Sequence, residues 1–365
     1  MRLSTLGSAL VGLAVAQAST INYSAVTGYF LQDEESTDAS TFDYTAENFG
    51  LIDRAYPADK DYKKNESPTQ WERFYNQVTN LNEHSPRTSS TRFCSLVDMG
   101  KGGTMPPKLI MAHQRGTTNL TISIQCYWSE LSGNSTASWA DAALTPGGVT
   151  QALIANEFWQ KEINEQRIHT PDQYYVSPLT RTLQTANITF GDLDLPKHSA
   201  KFKPTIKELF REGISIHTCD HRRSRSYIHD LFPHWSIEHG FTEKDELWNG
   251  VTAETSGAQD VRSAQALGQV FFTLSKKKSF VSITSHSGEI SSILRVIGHR
   301  TFRLSTGAVI PVLVKAERIG GKAPATSSVP WEVSPHCTEP PVTSATACVC
   351  PSSAAPVTTP LATGF

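Results

Sequence analysis

Phe280-Val281-Ser282-Ile283-Thr284-Ser285-His286-Ser287-Gly288 is the stretch from which the fold is read. A short apolar run predicts a strand, a polar Ser-His-Ser-Gly loop ends it, and apolar residues then recur at helical spacing from Ile290 to Ile297. Tyr174-Tyr175-Val176 repeats the pattern, ending at Ser177-Pro178 ahead of a helix-compatible Leu179–Ala186. Further helices are predicted over Thr69–Asn82 and Thr145–Glu165. In the second, Leu153, Ile154, Phe158 and Ile163 fall roughly at helical spacing, with Pro146 in the opening turn. This alternation predicts an α/β fold, a three-layer sandwich whose mostly parallel central sheet is flanked by helices. Ligands of open α/β sheets bind beyond the carboxyl ends of the strands, so the two polar loops are candidates for one site.

Composition sets the limits around that core. The apolar share of 38% over 365 residues suffices for a sizeable interior. Thirty-three basic against 35 acidic side chains give no reason to expect nucleic acid or an acidic membrane surface as a partner. Arg2, the apolar run Leu6–Ala16 and Ala16-Gln17-Ala18 predict a signal peptide over residues 1–18, and no other segment is apolar enough to span a membrane. Sequons at Asn22, Asn134 and Asn187 suit an exported glycoprotein; those at Asn65, which Pro68 follows, and at Asn119 are weaker. Cys94, Cys126, Cys219, Cys337, Cys348 and Cys350 show neither zinc spacing nor the density of a disulfide scaffold, and leave room for one or two disulfides of open pairing. From about Ala323 the chain turns to Pro, Ser, Thr and Ala, which predicts a disordered, O-glycosylated tail or a wall-facing stalk over 323–365, leaving 19–322 as the folded domain.

Three residues near the predicted loops carry chemistry. Arg181, in Ser177-Pro178-Leu179-Thr180-Arg181, offers a planar fork of donors beside the free N–H groups of a helix start, a cradle for phosphate. His286 follows its strand directly and can donate to a phosphoryl oxygen. Glu212, in Leu209-Phe210-Arg211-Glu212-Gly213, is suited to protonate a leaving oxygen if a nearby phosphate raises its pKa. Singly, each has an ordinary structural explanation: a surface arginine, a packed histidine, a solvated glutamate.

Together, Ser-Pro-Leu-x-Arg-x-x-Gln-Thr-Ala from Ser177, Phe210-Arg211-Glu212 and Ser285-His286-Ser287-Gly288 stand in the order and spacing of one family. The chain resembles the histidine phosphatases of the phosphoglycerate mutase branch from about Gly28 to Ala316. Thr41-Phe42-Asp43-Tyr44, Asn48-Phe49-Gly50-Leu51, Trp139-Ala140-Asp141, His217-Thr218-Cys219-Asp220, Gly240-Phe241-Thr242-Glu243 and Gly298-His299-Arg300 look like its fungal members. The resemblance implies phosphoryl transfer to a histidine in an Arg-His-Gly motif, followed by hydrolysis. It implies phosphate held by Arg181 and His286, Glu212 as general acid, a small phosphorylated substrate, and neither metal nor cofactor. Arg222, Arg223 and Arg225 are expected to contact a second anionic group or, the favoured reading, to face solvent; oligomeric state is left open.

The motif itself is missing. Where it belongs, ahead of Cys126-Tyr127-Trp128, stands Ala112-His113-Gln114-Arg115-Gly116. His113 is the fallback nucleophile of the written chain, without the expected arginine, the adjacent glycine or a strand leading in. Reading Phe93 to Gly116 two nucleotides into each codon resolves the gap: from Phe93, favourable third bases give Leu-Phe-Phe-Gly-Arg-His-Gly-Glu-Gly-Trp-His-Asn. Met99 into Gly100 must spell glycine, and Asp98 into Met99 histidine or tyrosine. The nucleophile is then encoded out of frame across Asp98 and Met99. Two rivals remain: a pseudophosphatase that binds phosphate ligands, if the chain is correct as written, and a wall glycoprotein whose tail is the working part.

Overall fold

The computed structural model describes residues 19–102, 127–134, 138–320, 330–334, 336–341 and 350–351. The expected signal peptide, residues 1–18, and His113 lie outside them.

The sheet is organised about strand β2 (Ser89–Asp98), all ten of whose residues are buried. β1 (Ser19–Ala25), β3 (Gln173–Val176), β4 (Thr205–Ile206), β5 (Ser236–Ile237), β7 (Phe280–Ser285) and β8 (Val309–Gly320) complete seven strands in the order β1-β8-β2-β7-β3-β4-β5. β2, β7, β3, β4 and β5 run parallel, while β8 is antiparallel to both β1 and β2. Because successive side chains alternate across a strand, β2 feeds two cores. Phe93 and Val97 pack on one face with Trp71, Phe74 and Val78 of α1 (Gln70–Glu83) and Phe158, Trp159 and Ile163 of α2 (Pro146–Glu165). Cys94 and Leu96 pack on the other with Ala266, Leu267, Val270 and Phe271 and with Ile290, Ile293 and Leu294. These last two groups belong to helices Ser256–Phe271 and Ser287–Val296. Helices therefore cover both faces of a mostly parallel sheet.

Local signals set the boundaries. Thr69 caps α1, its hydroxyl taking the Glu72 N–H at 3.2 Å while the Glu72 carboxylate takes the Thr69 N–H at 2.8 Å. Thr145 caps α2 with Pro146 in its first turn. From the sequence, residues 93–125 are expected to replace a central strand and the catalytic loop. The first part of that expectation is corrected, since the written Phe93–Asp98 forms the strand, paired with Phe280–Ser285, while 103–125 lie outside the described residues. The alternation of Phe93, Ser95 and Val97 with Cys94 and Leu96 is enough to fill both layers.

Within the range read as tail, Glu332–Val333 pairs antiparallel with Thr252–Ala253, and a Cys337–Cys350 disulfide closes a loop with Cys337 fully buried. His336 Nδ1 lies 2.7 Å from Glu130 Oε2 beside it. Pro, Ser and Thr content conceals such docking, which rests on two cysteines and a buried polar pair rather than on an apolar face. Among the described residues no helix is long and apolar enough to cross a membrane.

Candidate active site

The carboxyl ends of β2, β3 and β7 meet at one place. Asp98 pairs with Ser285, and the next amide, Met99 N–H, donates to the Ser285 carbonyl at 3.1 Å. On the other side of β7, Ser177 N–H donates to the Thr284 carbonyl at 3.0 Å. The loop residue of each outer strand is thereby held against His286. Ser177 Oγ and His286 Nε2 lie 2.9 Å apart, and the imidazole is completely buried. Burial first, and then the cations Arg181, Arg262 and Arg211, hold the His286 pKa well below its ordinary value. The ring is neutral at pH 7, and among the described residues its buried Nδ1 has no hydrogen-bond partner.

Arg181 stands in the first turn of α3 (Thr180–Phe190), buried, with Nη1 on the Cys219 carbonyl at 2.7 Å, Nη2 3.8 Å from Asp220 Oδ1, and Nε 2.8 Å from Met99 Sδ. The start of α3 is fixed from outside the helix. Buried Asp141 accepts the Thr180 N–H at 2.8 Å and the Thr180 hydroxyl at 2.6 Å, and its own N–H donates to the Thr218 carbonyl at 3.2 Å. It thus ties Arg181's helix to the Thr218–Asp220 turn. Removing a cap of this kind costs about 0.5–2 kcal/mol, so Asp141→Ala is expected to lower the melting temperature by a few degrees. Asp141→Asn, which keeps an oxygen toward the Thr180 N–H, is expected to lose less, and thermal denaturation of both variants checks it.

Glu212 reaches the site from a third segment. Arg262 holds that segment by donating to the carbonyls of Leu209 at 2.8 Å, Arg211 at 3.0 Å and Glu212 at 3.1 Å, while Ser285 Oγ donates to the Phe210 carbonyl at 2.7 Å. The Glu212 carboxylate accepts the Gly213 N–H at 3.0 Å and lies against Gly288 in the first turn of the helix Ser287–Val296. A Cβ on Gly288 would stand 2.1 Å from Glu212 Oε1, so only glycine leaves room for the acid. Burial, reinforced by the Asp220 charge, raises the Glu212 pKa, and Arg181 opposes the rise.

Arg181, Glu212 and His286 are therefore gathered from three segments. What faces them at the end of β2 is Asp98, buried, its carboxyl beside the backbone N–H groups of Met99 and Ser287. Burial and then the Glu212 charge push its pKa well up. His113 lies outside the described residues. Sequence reasoning assigned no role to Asp98, Ser177 or Asp141, although Ser177 and Asp141 stood inside motifs it quoted. The reading of Arg222 as solvent-facing is corrected: it is buried, 2.7 Å from Glu208 Oε2 and bonded to the Thr242 and Lys244 carbonyls, a structural cation. Arg223 is half-buried and Arg225 exposed. His217, Cys219 and Asp220 bring potential metal-ligand atoms within 4.8 Å of one another. Asp220 Oδ2, however, already accepts the Ser215 hydroxyl at 2.5 Å and Oδ1 faces Arg181, so the group reads as the wall of the anion pocket.

Residues 128–305 match the family described as the histidine phosphatase superfamily (branch 1). Over 318 residues the chain is 43% identical to a "probable phosphoglycerate mutase" of Arthroderma benhamiae, covering 86% of this chain and 91% of that protein. It is 33% identical over 315 residues to "phosphomutase-like protein 3" of Candida albicans, covering 86% of each. The matched family segment begins beyond β2, so the place of Asp98 lies outside it.

Proposed function

The chain belongs to the histidine phosphatase superfamily, branch 1, and from that premise we propose that its gene encodes a secreted phosphomonoesterase working through a phosphohistidine. The observation that carries this is the convergence of Arg181, Glu212 and His286 on the carboxyl end of β2. With a histidine at that end, its ring nitrogen attacks phosphorus. The P–N bond forms as the ester P–O bond breaks, and the Glu212 proton passes to the leaving oxygen. Water then attacks phosphorus, Glu212 takes its proton, and the P–N bond breaks to release inorganic phosphate. Arg181, whose Nε is engaged by the Met99 sulfur only in the written chain, turns to a phosphoryl oxygen once glycine stands there, and neutral His286 donates one N–H. Hydrolysis is favoured over mutase transfer because the predicted leader sends the enzyme away from the glycolytic pool.

Two observations support the shifted reading of codons 93–116. The buried Asp98 carboxyl stands where a nucleophile is required and has no nitrogen to offer, and charging it there is costly, as its raised pKa reflects. A histidine in its place removes both problems. The same Asp98 favours the second reading, a pseudophosphatase, if the written chain is the product. Sequencing the transcript across codons 90 to 128 decides between them. Arg-His-Gly across the codons of Val97 to Gly100 is expected, and reads confirming Val97-Asp98-Met99-Gly100 in frame would end the proposal.

A further inference from the structure

A cavity of about 740 Å³ lies at the opposite end of the sheet from the active site. His169 and Tyr75, two of its lining residues, pack against Phe280 at the start of β7, with ring centroids 5.1 and 5.3 Å away. His286 follows the far end of that strand, about 20 Å off at roughly 3.3 Å per residue. The phosphatase chemistry does not use this groove. Its walls combine the rings of Tyr62, Tyr75, His169 and His198 with the charged ends of Glu72 and Arg167, which are paired at 2.8 Å.

The rim says what such a wall is for. Glu66 and Ser67 line the groove, and they are the second and third residues of the sequon Asn65-Glu66-Ser67. Asn65 is exposed in a turn closed by the Glu66 N–H on the Lys63 carbonyl at 3.0 Å and the Lys63 N–H on Glu66 Oε2 at 3.2 Å. Pro68, which weakens the sequon in sequence terms, leads into the Thr69 cap of α1 and leaves the asparagine presented on the turn.

We propose that Asn65 carries an N-linked glycan whose core sugars lie in this groove. Flat rings match the C–H faces of pyranose sugars, and a few fixed polar groups meet the hydroxyls, the usual make-up of a small-ligand site. The covalent link holds the saccharide at high effective concentration, so weak contacts suffice to seat it. Glycan and groove together brace the junction of α1 with the segment that precedes β3.

The proposal rests on the secretion reading, and one experiment separates their failures. The full chain, secreted from a fungal host, is mapped for site occupancy by mass spectrometry after enzymatic deglycosylation. Asn65 is expected to be occupied. Asn65→Gln is expected to lower the melting temperature by about 2–4 °C, and Tyr62→Ala to add less than its separate effect on top of it. In chain made without glycosylation the two substitutions should act independently, which removes ordinary loss of packing from the comparison. Glycan at Asn22, Asn134 or Asn187 with Asn65 bare overturns the groove proposal alone. Occupied Asn65 with no coupling to Tyr62 also overturns it, and a full chain that never reaches the medium of that host overturns it together with secretion.

Discussion

The frame-restored chain is expected to hydrolyse p-nitrophenyl phosphate roughly 10⁴–10⁶ times faster than the chain as written, the order lost when a hydrolase is deprived of its covalent nucleophile. The written chain ends β2 in Asp98, whose carboxyl is buried beside Glu212, and follows it with Met99, whose sulfur occupies Arg181 Nε at 2.8 Å. Each feature opposes catalysis, the first by putting a carboxyl where a nucleophilic nitrogen is required and the second by engaging a donor. A histidine and a glycine in their places supply the nucleophile and free the guanidinium. Steady-state kinetics on the two purified proteins, with acid-labile phosphate trapped on the restored one, measures the difference. Equal rates would show that the frame does not matter and would return His113 to candidacy.

A folded but inactive written chain would match the pseudophosphatase reading in behaviour, and the structure explains how it can fold. Phe93 to Asp98 fills both layers as a strand, so the written codons build the sheet. The catalytic loop depends on which reading of them is translated. Strand formation asks only for alternating bulk, whereas phosphoryl transfer asks for a particular nitrogen at one position.

The same contrast governs what was legible in the sequence. Strand-loop-helix units at Ser177 and His286 announced both the parallel sheet and the end of it at which the motifs collect, because apolar runs and helical spacing are local properties. Arg181, Glu212 and His286 could be singled out because their motifs are contiguous. Asp141 was not assigned a role, because its partner Thr180 lies 39 residues away and only the fold brings them together. Arg222 was misjudged for a similar reason: its companions Glu208 and the Thr242–Lys244 turn come from two other segments, and a run of arginines looks solvated until those partners are known. The docking of Glu332–Val333 and the Cys337–Cys350 loop was hidden by a composition that usually signals disorder.

Glu212→Gln in the frame-restored enzyme is expected to slow hydrolysis of an alkyl phosphate by roughly 10²–10⁴, the usual worth of a general acid, and that of an activated aryl phosphate much less. The side chains are nearly isosteric, and the amide oxygen can still accept the Gly213 N–H, so the loss reports the proton rather than the fold. An alkoxide leaves only if protonated in the transition state, whereas a nitrophenolate leaves unaided. Arg181→Ala and His286→Ala should instead slow both substrates alike, by roughly 10²–10³, because the charge they meet is on the phosphoryl group whatever departs. The pH profile gives an independent sign. Burial and Asp220 raise the Glu212 pKa, so the acid form persists above the ordinary carboxyl range, and alkyl phosphate turnover should fall as pH rises through that raised value. In Glu212→Gln this alkaline limb should disappear. Equal losses on both substrates, with the limb retained, would show that Glu212 is not the acid. Asp220, whose Oδ1 lies 3.8 Å from Arg181 Nη2, is then the carboxylate to replace next.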